Sequence, residues 1–179
     1  MSVLALWSPL DAMLGIVGPL GAAAAVDTAL AIDLDPNGPP YRGPFSLADL
    51  VTRGPTLSQL QPTQKGPAVL RNGGVEPGDA EEIVSELVKR WPNVVLRCSP
   101  SAEAGAHATA LLPLLPEPFM PSSVGTVVYQ RMKLVAIPPP YHTVLPVPRS
   151  GTIKALLGGT RPPTRDPWVR AFRTVWQRA

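Results

Sequence analysis

Hydrophobic and polar positions predict a strand, a helix and a second strand at the start of the chain. Val3–Trp7 is a short apolar run typical of a buried strand, Leu10–Val26 is an apolar segment of helical length, and Thr28–Ile32 is a second apolar run. Three glycines and a proline interrupt the helical segment, so we expect the helix to be broken or weakened there. The stretch closes on "DLDP", an acidic pair before a proline, and has the layout of a βαβ unit.

Strand-like and helix-like segments alternate through the rest of the chain, which predicts a mostly parallel sheet with flanking helices. The clearest helix follows "NGGVEPGD", where Ile83, Leu87 and Trp91 share one face. Two proline- and glycine-rich loops flank a short helix that Ser46 is expected to cap, and neither loop is expected to pack on the core. Further strands are predicted at 68–72, 93–98, 125–131 and 142–148, and further helices at 102–115, 151–159 and 166–179.

Length and composition predict one domain over 1–179, because 179 residues with 45% hydrophobic content can build a single core. The single Cys98 closes an apolar strand, which favours a reduced, buried structural thiol in a cytoplasmic protein. No lysine or arginine precedes position 42, which argues against a signal peptide. The first apolar segment is also shorter than the ~20 residues that span a bilayer.

The charge is unevenly distributed along the chain. Residues 1–119 carry 7 basic and 12 acidic side chains, a net charge of −5, whereas residues 120–179 carry nine basic and one acidic, a net charge of +8. This asymmetry predicts an anionic partner for residues 120–179, which could be a membrane, a nucleic acid or an acidic protein surface.

The order of elements, with "ALAIDLDPNG" after the first helix and "LPVPRSGTIKALLGG" near the end, resembles the MinD/ParA group of P-loop ATPases. The resemblance covers most of the chain, and "IDLDP" is its most specific fragment. It implies a P-loop-NTPase-like three-layer sandwich of α/β class. In that family a glycine-rich loop with two lysines binds the nucleotide phosphates, an acidic residue at the "IDLDP"-like strand end supports magnesium and water, and a later strand ends in another acidic residue.

The residues that would carry this chemistry are absent from the matching positions. The family's phosphate loop falls on Ser8–Gly15, "SPLDAMLG", which has one glycine, no lysine and the carboxylate of Asp11. The first lysine of the chain is Lys65, beyond the second strand. Lysine matters because backbone amides alone offset phosphate charge less well than amides with a nearby cation. A second departure is Arg97, which stands where the family pattern places the later acidic residue.

Asp33 and Asp35 match the acidic strand end and would be the cofactor-binding residues if a nucleotide bound. Without the loop lysine, the simpler interpretation is a solvated acidic pair at the start of a turn. We predict no catalytic residue, no cofactor and no metal site. His107 and His142 lie in unlike contexts, and no nucleophile motif surrounds Cys98.

Two glycine-rich segments have both a structural and a functional interpretation. Gly15, Gly18 and Gly21 follow the spacing GxxGxxG rather than GxGxxG, so close packing of the helix on the sheet is favoured over dinucleotide binding. The turn "NGGVEPGD" could present amides to an anion at the start of the following helix. With Glu76 and Asp79 beside it, a turn and helix cap is the favoured interpretation.

The segment 160–179 is predicted to contain a basic amphipathic helix with Asp166 as its N-cap and Pro167 in its first turn. Such a helix can lie on an anionic membrane, and MinD-type relatives use a C-terminal helix in that way. The alternative, which we favour, is that the aromatic side chains cover an edge of the domain's own sheet while the arginines face solvent. The candidate partner or membrane surface comprises Trp168, Arg170, Phe172, Arg173, Trp176 and Arg178.

Together these features favour a non-catalytic, ATPase-like protein that acts as an interaction or regulatory module in a positioning, division or transport assembly. A protein partner or a homodimer is expected, and no small-molecule substrate is indicated. The first alternative is a nucleic-acid- or membrane-surface-binding protein, with a peripheral position at the membrane, acting through residues 120–179. The second is an active nucleotide-binding ATPase with an atypical site.

Overall fold

The computed structural model describes residues 2–63, 65–100, 108–117, 126–133, 136–138, 140, 142–163 and 165–178. The strands are β1 (Ser2–Trp7), β2 (Thr28–Asp33), β3 (Gly66–Leu70), β4 (Asn93–Arg97), β5 (Thr109–Leu114), β6 (Thr126–Arg131) and β7 (Thr143–Leu145). The helices are α1 (Ala12–Ala24), α2 (Leu47–Arg53), α3 (Leu57–Leu60), α4 (Glu81–Arg90), α5 (Ser150–Leu157) and α6 (Pro167–Trp176).

The seven strands form one sheet in the order β3-β2-β4-β1-β5-β6-β7, and every pair of neighbours is parallel. The chain runs outward from β1 to β2 and β3, returns to place β4 between β2 and β1, and continues through β5 to β7 on the other side. The predicted parallel sheet with flanking helices is confirmed. Parallel α/β sheets bind ligands beyond the carboxyl ends of their strands, where the direction of winding changes, so the ends of β1, β2 and β4 position any site.

Helices pack on both faces of the sheet around β2 and β4, which gives three layers there. Alternate residues of β2 face opposite ways: Ala29 and Ala31 pack with α1, α5 and α6, whereas Leu30 and Ile32 pack with α2, α3 and α4. Because both faces are buried, the middles of the strands are mostly apolar rather than alternating with polar residues. Small alanines on one face let α1 approach the sheet closely.

Helix α1 is continuous, although its sequence contains Pro19 and three glycines. Its side chains from Ile16 to Ala24 are buried, so tertiary packing outweighs the poor helix propensity of these residues. The expectation of a broken helix is therefore wrong. The helix begins where Asp11 accepts a hydrogen bond from the Leu14 amide, at 3.0 Å.

The predicted helix at 102–115 is wrong where the structure describes it, because Thr109–Leu114 forms β5, an interior strand of the sheet. All six of its residues are buried between β1 and β6. Residues 102–107 of that prediction lie outside the described residues. An alanine- and leucine-rich run has high helix propensity, but a strand buried on both faces satisfies the same apolar pattern.

The expectation that neither proline-rich loop packs on the core is also wrong. Tyr41 from the first loop and Leu60 from the second are 5% and 8% exposed, and each belongs to a core cluster. No helix in the described part of the chain is both long enough and apolar enough to cross a membrane.

Candidate functional site

A cleft of about 310 Å³ opens where the chain leaves the carboxyl ends of β1, β2 and β4. Ser8 and Ala12 line it on the side of β1 and α1, Asp35 and Gly38 line it after β2, and Arg97 lines it at the end of β4. This is the crevice in which a doubly wound parallel sheet binds its ligands. It contains both positions at which the sequence departs from the ATPase pattern.

The Arg97 side chain fills the acidic side of this cleft. One guanidinium nitrogen, Nη1, lies 3.2 Å from Oδ2 of Asp33, and the other, Nη2, lies 3.1 Å from Oδ2 of Asp35. Arg97, Asp33 and Asp35 are 3%, 0% and 4% exposed, so the three charges form a buried ion cluster. We call Arg97, Asp33 and Asp35 the Arg97 triad. The interpretation of the two aspartates as a solvated pair is wrong.

Strand register explains why the triad forms. Asp33 ends β2, Arg97 ends the neighbouring β4, and the two residues stand opposite each other in the parallel pairing. Side chains at paired positions of adjacent strands lie close together, so opposite charges there attract. An acidic residue in place of Arg97 would instead have added a third carboxylate to this edge.

The loop after β2 closes over the triad. Nη1 of Arg97 also donates to the Pro39 carbonyl oxygen at 2.8 Å, and the guanidinium carbon lies 5.1 Å from the centroid of the Tyr41 ring. The Tyr41 hydroxyl donates to the Ile16 carbonyl oxygen at 3.0 Å, which ties the loop to α1. A Cβ atom at Gly38 would collide with Arg97 and Asp35, so only glycine lets the backbone pass this close.

Burial dominates the electrostatics of Asp33. Desolvation raises the pKa of Asp33 to about 6, although the Arg97 guanidinium and hydrogen bonding by the Asp35 amide act in the opposite direction. The carboxyl group is fully enclosed and paired, so it cannot reach a substrate or serve as an exposed general base. Its chemistry is confined to the interior of the cluster.

Asp11 caps the start of α1, the position at which the ATPases that the sequence resembles would have their phosphate loop. Its Oδ1 accepts from the Leu14 amide at 3.0 Å, and its main-chain oxygen accepts from the Gly15 amide at 2.9 Å. The carboxylate therefore takes the role that an anion plays at an open helix N-terminus. The hydroxyl of Ser8, in the same segment, donates to the Leu111 carbonyl oxygen at 2.7 Å.

Comparisons with known proteins leave the sequence resemblance without a match. No model of a protein family matches the chain, and none of the curated proteins matches it.

Both glycine-rich segments have structural roles. A Cβ at Gly18 would collide with Leu111 of β5, and one at Gly21 would collide with Trp168 and Phe172 of α6. Close packing on the sheet is therefore confirmed for Gly18, whereas Gly21 packs against a helix and a Cβ at Gly15 would make only an ordinary contact with Ser8. In the turn after β3, the Asn72 side chain accepts from two main-chain amides at 2.7 and 2.8 Å, so the predicted turn is confirmed. The predicted cap is wrong, because the helical segment that follows starts at Pro77 with no side-chain cap.

Among the described residues, Cys98 and His142 lie in separate, unreactive surroundings. Cys98 is half-buried, and burial raises the pKa of its thiol to about 11, so the thiol stays protonated near neutral pH. His142 packs edge-on against the Tyr129 ring, with the ring centroids 5.5 Å apart. His107 lies outside the described residues. Within the described ranges, no group of three or more His, Cys, Asp or Glu side chains could hold a metal ion.

The aromatic side chains of α6 pack largely inside the domain. Trp168 and Phe172 are 1% and 0% exposed, and their rings meet edge to face at 5.0 Å. Trp176 is half-buried, and its Nε1 donates to the Ala22 carbonyl oxygen at 3.0 Å. Trp168 and Phe172 are therefore not on the surface, as expected if the aromatic side chains of α6 cover an edge of the domain's own sheet.

The arginines of α6 are exposed, but one of them also has a structural contact. Arg173 donates through Nε to the Ala25 carbonyl oxygen at 3.1 Å, at the end of α1 where unpaired carbonyls need donors. Arg170 lies on the exposed side of α6, and Arg178 is exposed beyond the end of the helix. Asp166 caps α6 through the Trp168 and Val169 amides, as predicted.

Proposed function

We propose that this protein is a non-catalytic, MinD/ParA-like member of the P-loop NTPase fold that acts as an interaction or regulatory module in a positioning, division or transport assembly. The observation that carries the proposal is the guanidinium of Arg97 bound between Asp33 and Asp35. In an ATPase of this type, acidic groups in this crevice hold magnesium. In this protein the Arg97 guanidinium already compensates the negative charge of both carboxylates, so a metal ion would have to displace the guanidinium.

The start of α1 supports the same conclusion independently. Asp11 places a carboxylate beside the amides that would otherwise bind phosphate, so an entering phosphate would meet a like charge. The sheet, the crevice and the helix start are retained, while the groups that bind the nucleotide are replaced by internal contacts. A fold retained without its chemistry fits a role in binding a protein partner or a second copy of the chain.

Titration calorimetry with Mg-ATP tests this proposal. We expect no heat of binding at millimolar ATP, because Asp11 occupies the start of α1 and Arg97 already pairs with both carboxylates of the cleft. Binding at micromolar strength that disappears in the Asp35→Asn variant would contradict the proposal and favour an active ATPase with an atypical site. Arg90→Met, in an exposed ion pair with Glu86, serves as the control for a general effect of removing a charge.

A nucleic-acid or membrane surface formed by residues 120–179 is the second candidate. It is favoured by Arg165 and Arg170, which are exposed and have no ion-pair partner among the described residues. Burial of Trp168 and Phe172 removes two of the aromatic anchors that a membrane-binding helix would use. This candidate would appear as binding to DNA that weakens steeply with added salt.

A further inference from the structure

A second cavity, of about 440 Å³, opens at the carboxyl edge of the sheet beside the first turn of α1. It shares no lining residue with the cleft that contains the Arg97 triad. Its walls come from α1, from the end of β6, from the segment after β7 and from α5. We call it the α1–β6 groove.

The walls of the α1–β6 groove are apolar, and part of this apolar surface is exposed. Leu14 and Val17 form a buried wall, with Ile153 half-buried beside them. At the rim, Met13 is 50% exposed and Val147 is 44% exposed. Apolar side chains left in water at the mouth of a cavity mark a surface that gains free energy when a partner covers it. Methionine adapts its shape well to such a partner.

The base of the groove is fixed by satisfied hydrogen bonds. The Gln130 amide nitrogen donates to the Arg131 and Pro146 carbonyl oxygens at 2.8 and 2.9 Å. Its amide oxygen accepts from the Trp168 indole nitrogen at 2.6 Å. These contacts tie β6, the segment after β7 and α6 together. Because these polar atoms already have partners, the part of a ligand that reaches the base must be apolar.

The mouth of the groove is positively charged. Arg131 and Lys133 line it, both are exposed, and neither has an ion-pair partner among the described residues. Asp11 also lines the groove, but one of its oxygens is held by the Leu14 amide. The net charge at the mouth is therefore positive, which favours a ligand that carries a carboxylate next to an apolar group.

We propose that the α1–β6 groove docks an acidic segment of a partner protein, with an apolar side chain of that segment between Met13 and Val147 and its carboxylates against Arg131 and Lys133. This inference rests on the proposed role as an interaction module and names the chemistry of its partner. The exposed rim favours a protein segment over a small ligand, because small-molecule sites enclose most of the surface of their ligand.

Selection of peptides from a random phage-displayed library on the wild-type protein tests the inference. We expect the selected peptides to combine apolar residues with Asp or Glu. A synthetic peptide of a selected sequence, measured by fluorescence polarisation, should bind the Val147→Glu and Lys133→Glu variants about tenfold or more weakly. Added salt should weaken its binding to the wild-type protein, because exposed charges are screened.

Matched controls locate the binding site. Val51→Glu and Lys65→Glu change exposed residues of the same types in segments outside the groove, and each should bind the peptide as the wild-type protein does. Thermal unfolding of each variant verifies that it is folded.

The inference would be overturned if no peptide were selected or if the selected peptides lacked acidic residues. It would also be overturned if peptide binding survived Val147→Glu, or if Val147→Glu abolished a self-association of the wild-type protein. The last outcome would assign the groove to a second copy of the chain. Peptide binding lost only in the control variants would overturn the groove while leaving an interaction module standing. Micromolar binding of Mg-ATP would instead overturn the proposed function without touching the peptide result.

Discussion

Replacing Arg97 with methionine is expected to lower the free energy of unfolding by about 3–5 kcal/mol, the usual cost of removing one partner from a buried ion pair. The variant would leave Asp33 and Asp35 buried without a compensating cation. It would also leave the Pro39 carbonyl oxygen without the donor that now lies 2.8 Å away. Chemical denaturation of the variant and the wild-type protein at neutral pH measures the loss.

Two further variants show whether the loss comes from unpaired charge. Combining Arg97→Met with Asp33→Asn and Asp35→Asn removes the whole set of charges, so this triple variant should recover much of the stability that Arg97→Met loses. Arg90→Met breaks an exposed pair with Glu86 at 3.5 Å and should cost less than about 1 kcal/mol. If Arg97→Met cost no more than Arg90→Met, the triad would not be the buried cluster described here.

Replacing Trp168 with alanine is the second large effect, with an expected loss of about 3–5 kcal/mol. The side chain is 1% exposed, packs edge-on against Phe172 and fills the space left by Gly21. Its indole nitrogen donates to Gln130 at 2.6 Å, so the change also leaves a buried acceptor without this donor. Thermal and chemical unfolding both report the effect.

Trp176→Ala is the matched control in the same helix. Trp176 is only half-buried, so its removal should destabilise the protein clearly less than Trp168→Ala does. The folded Trp168→Ala variant should bind anionic liposomes no differently from the wild-type protein, because the wild-type side chain is already enclosed. Unchanged stability together with lost liposome binding would contradict the core role of Trp168 and restore it to a membrane surface.

Local patterns in the sequence were sufficient to predict most elements of the fold. Val3–Trp7 predicted β1, Ser46 was correctly expected to cap α2, and the helix face with Leu87 predicted α4. The run Thr109–Leu114 was assigned to a helix because propensity and hydrophobicity could not reveal that both of its faces are covered. That information depends on neighbouring strands that are distant in the sequence.

The Arg97 triad was only half predictable for the same reason. In the sequence, Arg97 stands at the end of an apolar strand where the ATPase pattern has an acidic residue, and Asp33 is an acidic residue at the end of another apolar strand. The signal that could have joined them is that both end buried parallel strands, whose carboxyl ends meet at one edge. Only the strand order, which places β4 beside β2, turns this into a contact. Tyr41 carried no comparable signal, because it lies in a proline-rich loop.

Titration of the Asp33 carboxyl carbon by NMR, with and without Mg-ATP, tests most directly whether Arg97 has replaced the metal. We expect a midpoint near pH 6 in both cases. Burial raises the pKa of Asp33 to about 6, and the ion pair with Arg97 prevents the carboxylate from binding a metal ion. The native pKa lies above the unfolded value of about 4, so the contribution of Asp33 to stability is complete below that value and is lost as the pH rises through 6. A midpoint that falls to about 4 or below when Mg-ATP is added would show that the carboxylate binds the metal. That result would contradict the proposal that this protein is non-catalytic.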